Sequence, residues 1–445
     1  MADKLTLKHV QDALTGSSAA FRLTLELEAV APKVFPPTYE GGKYATEERI
    51  INGEAVPCVL LDSVPSQANR MELALQEAWE SGLIELPVVS VDFSAVDNPG
   101  LPKVTSLQAP HRIADAILRD SLLGKEKFRK SEVGKQLDLL SNGYATPLLQ
   151  HAPHSLVFGM WDSTGPRGGL GVKFARAVIS EIIGVKAYAG VTTASRIDPL
   201  NIRLNSGKLY KAEDGGWTLD AEKAEKDPKT KKPILLGKEG KPSEANHGNV
   251  TPDIVYRKDK NGNIILGDNE RPVMMVVFDN SEEQGRKYVI RDERKPVMKG
   301  GFTISYAEQS TVLSLPALRR LRFPTKQGER SNPASDLAAR SYLASLGLLG
   351  ATLAVEAGYD LRSRCMLRAK NAVVWHLLGK PGEKDAEFAL DRDAAVKLYK
   401  DAKDAAVSAK LPIETKELML TPTEDLVKLV KKSMELAASE TAEGE

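Results

Sequence analysis

Cysteine is almost missing from this chain: Cys58 and Cys365 stand alone and far apart. That excludes a disulfide framework and a cysteine-based metal cluster, and it fits a reducing compartment. Charge of one sign is not in excess either. Sixty-one Lys and Arg against 60 Asp and Glu leave a net charge of +1. A nucleic-acid binder is expected to carry a basic footprint, so here any such footprint must be concentrated on one face and balanced by acids elsewhere. No apolar run reaches the length of a bilayer span. The first residues, MADKLTLKHVQDAL, are amphipathic and too short and charged for a signal peptide. A cytoplasmic protein without a membrane partner is expected. There is no internal repeat.

Catalytic signatures are also lacking. No Gly-Lys-Ser/Thr marks a Walker A loop, and Gly169-Leu170-Gly171 has no third glycine to complete a dinucleotide fingerprint. Gly-x-Ser-x-Gly is absent around Ser163, and no paired carboxylates or metal-ligand spacing stand out. His151 and His154 flank Ala152-Pro153, but two imidazoles without further ligands make a poor zinc site. Neither enzyme activity, a metal nor a cofactor is expected.

What is present is ordinary globular material: 445 residues, 42% hydrophobic and 27% charged, enough for a large core. Phe21 to Glu28 alternates apolar and polar residues, the mark of a half-buried strand. Ala31–Pro57 reads as a long loop or hairpin. Val59–Asp62 is a short apolar strand. Ser66 caps a helix through Glu80 with Ala68, Met71, Ala74, Leu75 and Ala78 inward. VVSVDFS predicts a strand and HRIADAILRDSLL a helix. Residues 205–272 include AEKAEKDPKTKKPILLGKEGKPSEANHGN, rich in lysine and poor in apolar residues, so that segment protrudes or is mobile. Val273–Asp279 and GGFTISYAEQSTVLSL predict strands. Asn332-Pro333 opens a long helix to about Glu356, bent at Gly347 and Gly350. Arg362–Lys370 and Val373–Leu378 predict strands, and helices near 391–409 and 423–438 precede a disordered acidic tail.

The richest stretch is HSLVFGMWDSTGPRGGLGVKFARAVISEIIG, 154–184. It predicts a strand from Ser155 to Met160, then a turn through Gly165, Gly168, Gly169 and Gly171. Ala175, Val178, Ile179, Ile182 and Ile183 then follow helical spacing. Arg167 in the turn, with Lys173 and Arg176 beyond it, would bring cations, backbone N–H groups and a helix N-terminus together. Such a place suits a phosphate. A plain strand-to-helix connection accounts for the glycines equally well.

This stretch, with LLDSVPSQANRMELAL upstream and TASRIDPL downstream, resembles the backbone RAMP proteins of type I-G (formerly I-U) CRISPR systems, the Csb-one group of the seventh Cas family. The resemblance runs from Phe21 to Cys365. It implies an α+β fold: an elaborated RRM-like antiparallel sheet with helices on one face, an inserted lobe and a protruding thumb-like extension. The palm would comprise 1–85 with loop 31–57, 153–204 and 273–390. The lobe would be 86–152, the thumb 205–272 with loop 31–57 as the competing candidate, and C-terminal helices and tail 391–445. It implies a non-catalytic subunit that polymerises along CRISPR RNA in a Cascade effector. Its partners would be further copies of itself, target DNA, the large subunit and an end-capping RAMP subunit.

Residues expected to hold RNA are Asn69, Arg70, Trp161, Ser163, Thr164, Arg167, Gly168, Gly169, Lys173, Arg176, Arg196 and Arg203. Trp161 could equally be core, Asn69 and Arg70 a plain helix start, and Arg196 and Arg203 part of a disordered insertion. The usual RRM aromatic signature is missing, which points to backbone contact without sequence reading. Two other readings stand beside this one. A RAMP-type endoribonuclease would need His111, His151 or His154 at the RNA. An enzyme for a small phosphorylated ligand would use the glycine turn alone.

Overall fold

In the computed structural model the alternating segment is β1, Ala20–Ala29, with Phe21, Leu23, Leu25 and Leu27 buried while Arg22 and Thr24 face water. The structure describes residues 2–96, 102–165, 172–266, 274–276, 289–291, 294–379 and 382–444. After β1 come β2 (Thr46–Ile51), β3 (Glu54–Asp62), α1 (Val64–Glu80), β4 (Met160–Trp161) and β5 (Lys173–Phe174). Then follow β6 (Val178–Val185), β7 (Tyr306–Ser314), α2 (Pro333–Glu356), β8 (Cys365–Ala369), β9 (Val374–Leu378) and α3 (Arg392–Ser408).

One ten-stranded sheet organises the first unit, Met1–Ala187 with Ile304–Lys431. Within it β9, β1, β7, β6, β3 and β2 lie side by side in that order, and β8 also pairs with β1. The run β1–α1–β6–β7–α2–β8/β9 is thus a β-α-β-β-α-β chain in the spatial order fourth, first, third, second. Its neighbouring pairs are antiparallel. This is the split βαβ topology of ferredoxin-like and RRM folds. The α+β, RRM-like expectation holds, with β2 and β3 extending the sheet beyond β6.

One face of this sheet is covered by helices. Leu23, Leu25 and Leu27 sit opposite Thr311, Gln309 and Ala307, which in turn sit opposite Ser180, Ile182 and Gly184. A polar network crosses this buried face. Gln67 of α1 accepts from Ser180 Oγ at 3.0 Å and Gln309 Nε2 at 2.9 Å, and Tyr359 donates to Gln309 Oε1 at 2.7 Å. The α2 helix runs through its glycines without a break. A Cβ at Gly347 would come within 2.7 Å of Val178 Cγ2, so that glycine serves close approach to β6 and not the expected bend. By length and composition this helix could also cross a membrane, with a mean hydropathy of 1.3, contrary to the expectation that no run is long enough. Here 83% of its apolar window is buried inside the protein.

Several local expectations fail. Ser63, not Ser66, caps α1. Residues 154–158, expected as strand, form a short buried helix, and the helix expected after Val172 is the sheet strand β6. The helix expected from His111 shrinks to a 3-10 turn and Ala116–Arg119, followed by a strand at Ser121–Leu123. That strand belongs to a second, five-stranded sheet with 89–92, 103–105 and 126–127. The sheet is completed by Leu418–Pro422 from near the end of the chain. The acidic tail, expected as disordered, continues a helix Glu424–Gly444.

The second unit comprises Tyr188–Thr303 and Lys432–Glu445. Its pieces are two-stranded: Thr193–Arg196 with Val250–Ile254, and Tyr210–Lys211 with Trp217–Thr218, among others. The lysine-rich segment is not a structureless excursion. Asp227 accepts from the backbone N–H of Lys229 and Thr230, and Glu244 from those of Lys238, Glu239 and Lys241.

Candidate nucleic-acid interface

The signature stretch folds as a hairpin. Met160 pairs with Phe174 and Trp161 with Lys173, and Asp162 N–H donates to Val172 C=O at 3.1 Å. Met160 and Phe174 point inward and are buried, whereas Trp161 and Lys173 point outward. The alternation of a strand produces that split. Gly159 precedes the hairpin at φ 87°, and a Cβ there would lie 2.9 Å from Arg176 Cγ. A side chain at position 159 would therefore push Arg176 away. Arg167, Gly168 and Gly169 connect the two arms in sequence and lie outside the described residues. The described residues after Val172 form strands, not the expected helix.

On the outer side of the hairpin the polar side chains are exposed. Lys173 Nζ stands 4.3 Å from the centroid of the Trp161 ring, a cation–π contact. Ser163, Thr164 and Arg176 are exposed. Among the described residues Arg176 has no acidic side chain in ion-pair contact. Desolvation, then the nearby Arg112 charge, lowers its pKa, with Glu72 acting the other way. A cation so placed is short of a counter-charge.

Below the hairpin lies a buried pair, although Arg112, beside His111 at a predicted helix start, reads from sequence as a surface residue. Arg112 Nε and Nη2 donate to the two carboxylate oxygens of Glu72 at 2.6 and 2.8 Å, and Nη1 donates to Gly159 C=O at 2.9 Å. Burial pushes Glu72 up to about 7 against the opposing Arg112 charge. Arg112 takes φ 54°, rare for a non-glycine residue, and so turns into this contact. The signal was in the sequence: Glu72 falls on the inward stripe of α1, between Ala68, Met71 and Leu75. A second pair, Arg129 with Asp162 at 2.9 Å, braces the hairpin's other end, where Arg129 also meets Asp138.

The SQANR segment divides. Asn69 is exposed on α1. Arg70 donates to buried Asp62 at 2.9 Å and to Leu361 C=O at 2.6 Å. Ser66, Gln67 and Arg362 also donate to Asp62. Arg70 thus clasps β3 to the strand Tyr359–Arg362 that pairs with β8, an internal bond that accounts for its position. In the second unit, Arg196 donates to Gly248 C=O and His247 C=O at 2.8 and 2.7 Å, while Arg203 is exposed. The structure therefore gathers Trp161, Ser163, Thr164, Lys173 and Arg176 at one hairpin.

The three histidines separate as well. His154 is fully buried, with Nε2 on Ser106 C=O at 3.1 Å; burial and then Arg112 push it down to about 3. Burial also lowers His151, against Glu414. His111 is exposed. Among the described residues no group of His, Cys, Asp and Glu is placed to hold a metal ion.

The sheet face away from the helices carries paired charges on β1, β8 and the middle of β6, beside a small apolar cluster of Val56, Cys58, Ile183 and Val185. Glu26 meets Lys370, Glu28 meets Arg368, and Glu181 meets Arg49. Glu308 faces Glu26 directly across β1 and β7. The cations named on that face are engaged by acids, whereas among the described residues Lys173 and Arg176 at the hairpin have no ion pair.

Residues 22–189 match the model of a family described as CRISPR-associated protein GSU0053. The match starts inside β1, covers α1, Arg112, both arms of the hairpin and β6, and stops just past the boundary of the first unit. Over that span the chain is similar to a CRISPR-associated family. No curated protein matches it.

Proposed function

We propose that this chain is a non-catalytic, RNA-binding backbone subunit of a type I-G CRISPR effector. It works in the cytoplasm and lines up in several copies along one guide RNA. Its further partners would be the target DNA, the large subunit and an end-capping RAMP subunit. The observation that carries this reading is the family match over residues 22–189, because that span contains the hairpin with its free cations. The RRM-like topology supports it, as does the absence of a row of aromatic side chains on the uncovered sheet face among the described residues. A subunit that must accept any guide gains from holding phosphates, which position RNA without reading it.

The test is a salt titration of RNA binding with two guides of unrelated sequence. Affinity for both should fall together, log-linearly with salt, since each neutralised phosphate releases counterions. Replacing Lys173 and Arg176 together by Ala should weaken binding and flatten the salt slope by about 1–2. A strong preference for one guide at constant salt would count against the reading. So would a double variant that loads RNA like the parent.

A further inference from the structure

We infer that Trp161 is a stacking platform for one unpaired RNA base. The inference rests on the RNA-binding reading and specifies how the strand is seated. On β4 and β5 the inward positions are taken by Met160 and Phe174, both buried. At outward positions of a hairpin polar residues are the rule, yet Trp161 occupies one and stays 44% exposed. Its cross-strand partner Lys173 lies against the ring at 4.3 Å. That contact puts an ammonium group over one face of the indole. Ser163 and Thr164 add hydroxyl donors one and two residues beyond Asp162, and Arg176 adds a guanidinium without an acidic partner in contact.

An exposed flat ring with unneutralised cations beside it fits a nucleotide: a base for the ring and its phosphate for the cations. The charge favours RNA over a protein partner, because a protein would have to bring acids to the same spot. Stacking on an aromatic face is tolerant of base identity, so the platform is compatible with guides of any sequence. It also separates this protein from the ordinary RRM, where stacking rings lie on the sheet face. Here that face carries Glu26, Glu28, Glu181 and Glu308 instead.

The experiment compares a short oligouridylate with an abasic ribose-phosphate oligomer of the same length and charge. Binding is measured by fluorescence anisotropy for the parent chain, Trp161→Leu and Trp161→Phe. The parent should bind the base-bearing oligomer roughly tenfold or more tightly than the abasic one. Trp161→Leu should lose most of that discrimination while keeping its affinity for the abasic strand, and Trp161→Phe should retain much of it. Far-ultraviolet circular dichroism checks that both variants are folded, and the Phe variant keeps the test valid should Leu perturb the hairpin. Equal parental affinity for the two oligomers overturns the platform while leaving phosphate binding intact. So does an equal loss for both oligomers on Trp161→Leu. Failure of the parent to bind either oligomer overturns the RNA-binding reading and the platform with it. Unchanged RNA binding with lost self-association in Trp161→Leu makes the ring a protein contact and also overturns it.

Discussion

The two units of this protein are held together by different physics. The first closes around a sheet whose covered face is mostly apolar and is crossed by buried polar networks: Gln67 with Ser180 and Gln309, Gln309 with Tyr359, and Glu72 with Arg112. The second has few buried apolar residues and many turns. There several turns are tied by a carboxylate that accepts backbone N–H groups: Asp198 from Leu200 and Gly248, Asp259 from Asn261 and Asn263, Glu244 from three residues. A buried pair fails all at once when one partner goes. Exposed turns fail one by one. The difference teaches that a lysine-rich, apolar-poor segment can hold a defined backbone without a core, provided short acidic side chains satisfy its amides.

The largest effect should come from breaking the pair under the hairpin. Arg112→Ala strands Glu72 in the interior and deprives Gly159 C=O of its donor. Urea unfolding should show a loss of about 3–5 kcal/mol in the first unit. The paired change Glu72→Gln with Arg112→Met should restore much of it, since the uncompensated charge is gone. A loss of well under 1 kcal/mol for Arg112→Ala would mean the first unit does not depend on buried polar closure, and the contrast with the second would collapse.

A pH series sharpens the same contrast at intermediate size. His154 falls from 6.5 to about 3 in the folded chain, so the unfolded chain binds the extra proton between those values. Its contribution to stability is complete above 6.5 and is lost as pH falls toward 3. Glu72 rises from 4.5 to about 7, so there the folded chain holds the extra proton, and stability falls as pH rises through that window. Between 4.5 and 6.5 the two slopes oppose each other. Below 4.5 Glu72 no longer opposes the slope of His154, about 1.4 kcal/mol per pH unit. The difference in unfolding free energy between the parent and His154→Asn should therefore change by about that amount per unit from pH 4.5 toward 3. A difference independent of pH would show that the imidazole is not held neutral.

The smallest effect belongs to the second unit. Backbone N–H groups lower the carboxyl pKa of Asp227 and Asp259, and in Glu244 they outweigh an opposing desolvation. Stability from such groups is present above the ordinary carboxyl range and lost as pH falls through the depressed values. Asp227→Ala and Glu244→Ala should speed amide exchange at 229–230 and 238–241 respectively, each within its own turn, with the unfolding midpoint of the first unit unchanged. Faster exchange across both turns from either single change would make the second unit cooperative.

The stretches read well from sequence were those in which one local period dominates. β1 shows strict alternation, while α2 and α3 carry Asn332 and Asp391 as caps. The error at β6 has a definite cause. Ile182, Ile183, Gly184 and Val185 are all buried because both faces of the strand are covered at that end. A second small cluster of Val56, Cys58, Ile183 and Val185 packs on the face away from the helices. A strand buried on both sides is apolar throughout, and its residues match a helical period as readily as an alternating one. Residues 154–158 failed for the mirror reason: a helix buried all round shows no polar face.

The candidate site divides along the same line. Trp161, Lys173 and Arg176 could be picked out by residue type beside a glycine-rich run, since a tight cluster of cations is visible in one dimension. Whether Arg70 was free or spoken for could not be, because one partner, Leu361, lies in the strand Tyr359–Arg362 nearly three hundred residues away. Arg112 and Glu72, forty residues apart, meet only once α1 is packed. The strand Leu418–Pro422 completes a sheet begun at Val89. The sequence by itself determined the elements with a clean period and cap, the α+β class, and the cations around the glycine run. Tertiary structure alone decided which charges are spent on internal bonds and which still face water, because burial and pairing are properties of neighbours in space.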